Sequence, residues 1–266
     1  MFPKYEISSL ENKNVLMSCI IGSRACGFFN ETSDFDIRFV YIVDLKTRLL
    51  NKEKLFIDSI SEKTDTVGYE LTKYLSLVKK SSVTPLEWIC GENVQCVENF
   101  NKHIRELYEY ADKRKMYISY VGQLHSDIKK LCKQPTIKQL VNCYKDALYA
   151  LYILAYNDIN HLNLETVYTL LTCNNTTERE LLNGLPRKLF EEVLEKRRNL
   201  SEISPAMLMT AHHFDNILPD YKNLVSQDNY NQEKLDELTD KVLLGYVYKY
   251  SGIKELEKKG KELLNE

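Results

Sequence analysis

No CxxC pair occurs anywhere in this chain, and its cysteines are odd in number: Cys19, Cys26, Cys90, Cys96, Cys132, Cys143 and Cys173. That pattern excludes a disulfide framework or a structural zinc site built on paired thiols, and it fits reduced cysteines in a cytoplasmic protein. No apolar run reaches the roughly 20 residues that a bilayer span needs. The most apolar stretch, Leu140 to Tyr156, is broken by Asn142, Lys145 and Asp146, so no membrane partner is expected. The first residues, Met1-Phe2-Pro3-Lys4-Tyr5-Glu6, do not have the basic-then-apolar layout of a secretory signal. A large excess of charge of either sign is missing too. Lys and Arg number 36, Asp and Glu 38, for a formal net charge of -2. This argues against a protein that coats polyanions, while leaving room for one local basic face. The sequence has no internal repeat, no low-complexity tract, no GxxxxGK[ST] loop and no RNP, KH or zinc-finger signature.

Against those absences stand a hydrophobic content of 44% and a length of 266 residues, enough for one large domain or two smaller ones. Val15 to Ile21 reads as a buried strand ending at Gly22-Ser23, and Ser23 to Phe28 as a short helix that Ser23 caps. Asn30 to Ser33 is a polar turn, and Phe35 to Val43, β-branched and aromatic, is a second strand. Extended pieces follow at Leu55 to Ile60 and Lys63 to Val67. Gly68 then separates them from an amphipathic helix, Tyr69 to Lys80, and a shorter helical segment carries Glu87 and Trp88. From about Glu98 the pattern becomes helical, with helices at 103–111, 117–132, 137–156, 164–171, 186–199, 205–216 and 232–265. Asn183-Gly184 reads as a turn, and Ile217 to Asn231 as a polar, mobile loop. The expected fold class is α+β: a small mixed-sheet module at 1–97, then an all-helical region at 98–266, with the boundary between Gln95 and Arg105.

Asp34 and Asp36 stand at i, i+2 at the head of the second strand. Side chains alternate along a strand, so both carboxylates face the same way. Two acids held side by side repel each other. A divalent cation is the ordinary reason to keep them together, and Mg²⁺ favours carboxylate oxygens supplemented by phosphate oxygens. Gly22-Ser23, just upstream, makes a turn whose backbone can approach a phosphate closely, with a hydroxyl to donate. A phosphate-cradling turn beside paired acids is the minimum apparatus for moving a nucleotidyl or phosphoryl group.

Strand, Gly-Ser, short helix and then Asp-x-Asp on the next strand resembles the nucleotidyltransferase superfamily that includes DNA polymerase beta. The sequence is more similar still to one branch, the nucleotidyltransferases of bacteria and bacteriophages related to the YcgL protein. The residues that carry this are Gly22-Ser23-Arg24-Ala25-Cys26-Gly27, Ser33-Asp34-Phe35-Asp36-Ile37-Arg38, Asp65-Thr66-Val67-Gly68-Tyr69-Glu70-Leu71-Thr72-Lys73 and Pro85-Leu86-Glu87-Trp88-Ile89. Beyond Ile89 the likeness is only that the chain is helical.

The resemblance implies Mg²⁺-dependent transfer of NMP from a nucleoside triphosphate to an acceptor. Asp34, Asp36 and Asp65 become the expected metal ligands and catalytic acids, with Asp65 also activating the acceptor hydroxyl. Glu62 and Asp58 are rivals for that third place. Gly22, Ser23, Arg24, Arg38 and Lys73 become the expected nucleotide-binding residues. An ion pair to Asp34 or Asp36 is the competing role for Arg38, and a solvated helical lysine for Lys73. Glu87 and Trp88 are expected to pack against the pocket or line it. Lys145, Tyr149 and Tyr152 share one face of the 137–156 helix. The branch often carries Lys and Arg there facing the nucleotide, and Tyr152 stands where the Arg would be. The clusters Lys113-Arg114-Lys115 and Lys196-Arg197-Arg198 read as solvated helix faces or as contacts for a polyanionic acceptor, and the five histidines as structural or surface groups. The acceptor is open: an RNA 3′ end, a protein hydroxyl, an aminoglycoside-like small molecule or another nucleotide. The oligomeric state is equally open. A nucleotide-binding protein without turnover, or a regulatory interaction protein of antitoxin or host-modulating phage type, is the competing reading.

Overall fold

The computed structural model describes residues 14–50, 56–60, 63–174, 185–199 and 203–265. Five strands form one mixed sheet: β1 (Asn14–Ile21), β2 (Phe35–Ile42), β3 (Phe56–Ile60), β4 (Thr64–Glu70) and β5 (Glu92–Cys96), in the order β3-β4-β2-β1-β5. β2 and β4 run parallel, and the other pairs are antiparallel. Four helices are interspersed with the strands: α1 (Gly22–Ala25), α2 (Leu45–Leu49), α3 (Leu71–Lys79) and α4 (Val83–Ile89). The remainder is helical, as the sequence predicts, and the fold class is α+β. It comprises α5 (Phe100–Glu109), α6 (Lys113–Lys133), α7 (Ile137–Tyr156), α8 (Leu164–Asn174), α9 (Arg187–Asn199), α10 (Pro205–Ile217), α11 (Gln232–Lys249) and α12 (Lys254–Leu264).

Alternation along β2 divides the sheet into two faces. Val40 and Ile42, on the face that carries Asp36 and Arg38, join the main hydrophobic core. Phe39, Tyr41 and Val43 form a separate small cluster with Ile57. The main core runs from Leu16 on β1 to Leu264 on α12, so sheet and helices share it. At its centre lies α7, where Leu140, Val141, Leu148 and Leu151 are fully buried. Thr136 caps α7 by accepting from Gln139 N–H at 3.3 Å, and Asn157, in a left-handed conformation, ends it. Among the described residues no helix is long and apolar enough to cross a membrane.

Several local expectations are corrected. Gly68 does not end a strand: β4 continues through it to Glu70, with Gly68 in register with Phe39 on one side and Ile57 on the other, and a Cβ there would lie 2.1 Å from the Phe39 ring. Only glycine lets that ring cross the strand. The helix starts at Leu71, where the Glu70 carboxylate accepts from Thr72 N–H at 2.7 Å. Ser23 does not cap α1, which has no side-chain cap. The polar loop expected from Ile217 to Asn231 contains a 3₁₀ helix, Leu218–Leu224. Gly252, at φ +74°, breaks the last predicted helix into α11 and α12. The edge strand β5 departs from the sequence expectation: Val94 and Cys96 are the apolar residues of Glu92 to Cys96, too short an alternation to mark a strand. Lys113 is not solvated: it is 6% exposed, and its ammonium donates to the Tyr108 carbonyl. The predicted Asn183-Gly184 turn lies outside the described residues.

Candidate active site

β1 delivers the chain to the site. Ile21, its last residue, pairs with Asp36 on β2, so the turn that follows lands beside that carboxylate. Gly22 makes the turn at φ +68°, a region where a Cβ is strained. A Cβ at this position would sit 2.0 Å from Asp36 Oδ2. Glycine is therefore required twice, for the backbone and for the space the carboxylate occupies. α1 follows as a single turn, closed by Cys26 N–H to Gly22 carbonyl at 3.0 Å and Phe28 N–H to Ser23 carbonyl at 3.0 Å.

A polar turn then brings in the first acid. Asn30 Oδ1 accepts from Thr32 N–H at 3.1 Å and from Ser33 Oγ at 3.0 Å. Arg24 holds the exit of this turn: Nη2 donates to the Ser33 carbonyl at 2.9 Å and Nε to the Asp34 carbonyl at 3.2 Å. Its guanidinium lies 3.6 Å from the centre of the Phe35 ring. Arg24 thus braces the backbone that presents Asp34 and does not line the cavity.

Asp36 and Asp65 are register partners on the parallel strands β2 and β4, so their side chains leave the same face at the same level. Arg38, two residues along β2, ties them together. Its Nη2 lies 3.0 Å from Asp65 Oδ2 and 3.5 Å from Asp36 Oδ1, while Nη1 donates to the Asp65 carbonyl at 2.9 Å. Of the two roles weighed for Arg38, the ion pair is the one the geometry displays. Asp58, on β3 opposite Val67, is exposed and two register pairs removed from Asp65. Glu62 lies outside the described residues.

A cavity of about 520 Å³ opens between these elements and the helices, within the usual size range for small-ligand sites. Gly22, Ser23, Asp34 and Asp36 line its sheet side. Lys138, Asn142, Lys145 and Tyr149 line it from α7, Glu87 from α4 and Arg197 from α9. Asp65, Arg24, Arg38 and Lys73 are not among the lining residues. Trp88 is core, 1% exposed and stacked on Tyr69 with ring centroids 4.7 Å apart. Tyr152 is buried, 4.6 Å from the Tyr156 ring by centroids, and does not reach the cavity.

Charges in the cavity are perturbed. The Asp36 carboxyl is held above the usual carboxylate range, first by burial and then by Asp65 and Asp34, with Arg38 and Lys138 opposing. Burial likewise raises Glu87, against Lys145 and a 2.7 Å hydrogen bond from the Tyr120 hydroxyl. Burial works against the charge of Lys145, yet Asp146 and Glu87 outweigh it and hold the ammonium above its ordinary value. Lys145 Nζ lies 3.3 Å from Asp146 Oδ1, and burial pushes Asp146 up to about 6.

Among the described residues no group of three or more His, Cys, Asp or Glu side chains is arranged to hold a metal ion. Two carboxylates, Asp34 and Asp36, do share one cavity. That donor set suits Mg²⁺, which is commonly held by one or two carboxylates and completed by substrate phosphates. The mutual repulsion felt at Asp36 is also what a cation there relieves.

The sequence reading missed Lys138, Asn142 and Arg197. The first two had a signal: positions 138, 142, 145 and 149 form an i, i+4, i+7, i+11 stripe of polar residues on an otherwise apolar helix. Arg197 had none, because its Lys-Arg-Arg setting reads as solvent-facing, whereas the residue is 7% exposed. The histidines stay outside the cavity, and His103 is buried between the Tyr246 hydroxyl and the Leu264 carbonyl, 3.1 Å from each.

Comparison with known proteins finds a family and a relative. The model of a family described as "RlaP: RNA repair pathway DNA polymerase beta family" matches residues 5–239. The uncharacterized protein YcgL of Bacillus subtilis (strain 168) is 27% identical over 189 residues, which span 68% of this chain and 72% of that protein. No solved structure matches.

Proposed function

The chain belongs to the RNA repair pathway DNA polymerase beta family, and from that premise we propose that it is a Mg²⁺-dependent nucleotidyltransferase that passes NMP from a nucleoside triphosphate to an acceptor. One observation carries this reading: Asp34 and Asp36 line a single cavity with Gly22 and Ser23, and the Asp36 carboxylate is seated against the Gly22 backbone. Asp34 and Asp36 hold the magnesium, which supplies charge neutralisation for the phosphates. Ser23 and the turn N–H groups hold phosphate oxygens. Arg24 fixes the backbone behind Asp34. Asp65, released from Arg38, is the group for the acceptor hydroxyl. Catalysis then comes from positioning and electrostatic stabilisation of an in-line displacement with pyrophosphate leaving. The family description makes an RNA end the first acceptor to try. Cysteines that are all free agree with a cytoplasmic setting.

The test is labelling. Each α-³²P nucleoside triphosphate is incubated with the protein, Mg²⁺ and total cellular RNA, with protein and small-molecule fractions assayed in parallel. Label is expected in one fraction and is lost in the Asp34→Ala/Asp36→Ala double variant. Labelling that survives the double variant contradicts the mechanism. A second reading, nucleotide binding without turnover, is favoured by one observation: Asp65 is engaged with Arg38 and does not line the cavity. It predicts Mg²⁺-dependent nucleotide binding with no pyrophosphate released in the presence of any fraction.

A further inference from the structure

The helical wall of the cavity contains a positive charge that no acid in the described protein balances. Arg197, on α9, is 7% exposed and lines the cavity. Its Nε is buried without a hydrogen-bond partner. Burial alone lowers its pKa, with no carboxylate raising it. An arginine desolvated without a partner destabilises the fold that contains it. A ligand that brings the missing anion removes the conflict.

The position of Arg197 narrows what that ligand is. Asn30 Nδ2 donates to the Arg197 carbonyl at 3.4 Å, which ties α9 to the turn that presents Asp34. Lys138 lines the same cavity and acts electrostatically on Asp36 across it. Glu87 on α4 faces Lys145, and apart from that pair the cavity has its acids, Asp34 and Asp36, on the sheet side and Arg197 and Lys138 on the helical side. A metal-bound α-phosphate belongs with the acids and Ser23. The phosphates beyond it then extend toward cations that the acids do not already neutralise. A guanidinium offers paired N–H donors matched to phosphate oxygens. We propose that Arg197 receives the terminal phosphates of the donor nucleoside triphosphate and holds the pyrophosphate as it leaves. This rests on the nucleotidyl-transfer reading and adds a phosphate-binding residue from the helical region.

The experiment compares wild-type protein with Arg197→Gln and Arg197→Lys, using calorimetric binding of Mg·ATP, inorganic tripolyphosphate and AMP, with thermal melting of each unliganded protein. Loss of charge-assisted hydrogen bonds predicts that Arg197→Gln binds Mg·ATP and tripolyphosphate about ten- to a hundredfold more weakly. AMP affinity is expected to be unchanged, Arg197→Lys to be intermediate, and unliganded Arg197→Gln to melt no lower than wild type. A variant that binds tripolyphosphate as tightly as wild type overturns the assignment, and points to a phosphate on the acceptor if labelling of the acceptor alone is impaired. A variant that melts lower with undiminished binding marks a structural arginine and also overturns it. Wild-type protein that binds neither Mg·ATP nor tripolyphosphate instead refutes the nucleotidyl-transfer reading itself.

Discussion

A methyl group at position 22 has nowhere to go. It would meet Asp36 Oδ2 at 2.0 Å, on a backbone whose φ of +68° already disfavours a side chain. Gly22→Ala is therefore expected to cost about 1–3 kcal/mol in backbone strain. It should also displace the Asp36 carboxylate and abolish Mg²⁺-dependent nucleotide binding, as read by thermal melting and calorimetry on the same preparation. Asp36 itself gives a pH-dependent signature. Its pKa is raised in the folded protein, so the native state favours the protonated form. The resulting penalty on stability is absent below the ordinary carboxylate pKa and fully present above the raised one. Asp36→Asn is expected to melt higher than wild type at neutral pH, with the gap closing as the solution is acidified; an equal or lower melting point at pH 7 counts against a strained carboxylate. Gly22, Ser23, Asp34 and Asp36 were legible in the sequence because a tight turn and a period of two depend only on neighbours in the chain. The destination of Arg24 was not, and that of Arg38 was legible only as far as its ion pair with Asp36. Arg24 is set by the Ser33 and Asp34 carbonyls, and Arg38 is also held by Asp65 on a separate strand, partners that only the fold brings together.

Among the elements, β4 and α3 meet at Glu70, which is fully buried. Its carboxylate caps α3 through Thr72 N–H and pairs with Arg48, whose Nη1 also donates to Thr72 Oγ1 at 2.6 Å. Removing one partner of a buried pair leaves the other uncompensated. Glu70→Ala should accordingly destabilise the protein by about 3–5 kcal/mol in urea unfolding, with nucleotide affinity of the folded protein unchanged. A loss below 1 kcal/mol would mean that the pair is effectively solvated. The sequence placed this junction two residues early, because Gly68 looks like a terminator until the Phe39 ring is seen to need its space. Most helices after residue 100 were legible from apolar periodicity. β5 was not, since this short edge strand, paired with β1, offers Val94 and Cys96 as its sole apolar alternation. In α7 the apolar residues were legible as a core face, while the polar stripe acquires meaning only when the opposite wall is known to hold Asp34 and Asp36.

For the whole molecule, the decisive feature is that the cavity belongs to neither half of the chain alone. Asp34, Asp36 and the phosphate-cradling turn come from the end of β1, α1 and the start of β2, Glu87 comes from α4, and the cations come from α7 and α9. One hydrophobic core runs beneath both. Helix packing therefore sets the distance between the two walls, and no local pattern in the sequence encodes it. That the walls close on a magnesium–nucleotide complex is tested most directly by calorimetric titration with a non-hydrolysable ATP analogue, with and without Mg²⁺, on wild-type protein and on Asp34→Asn/Asp36→Asn. Wild type should bind only with Mg²⁺ present, and the double variant should show no Mg²⁺-dependent binding. Equal affinity with and without the metal, or an unaffected double variant, would contradict a shared metal site at Asp34 and Asp36.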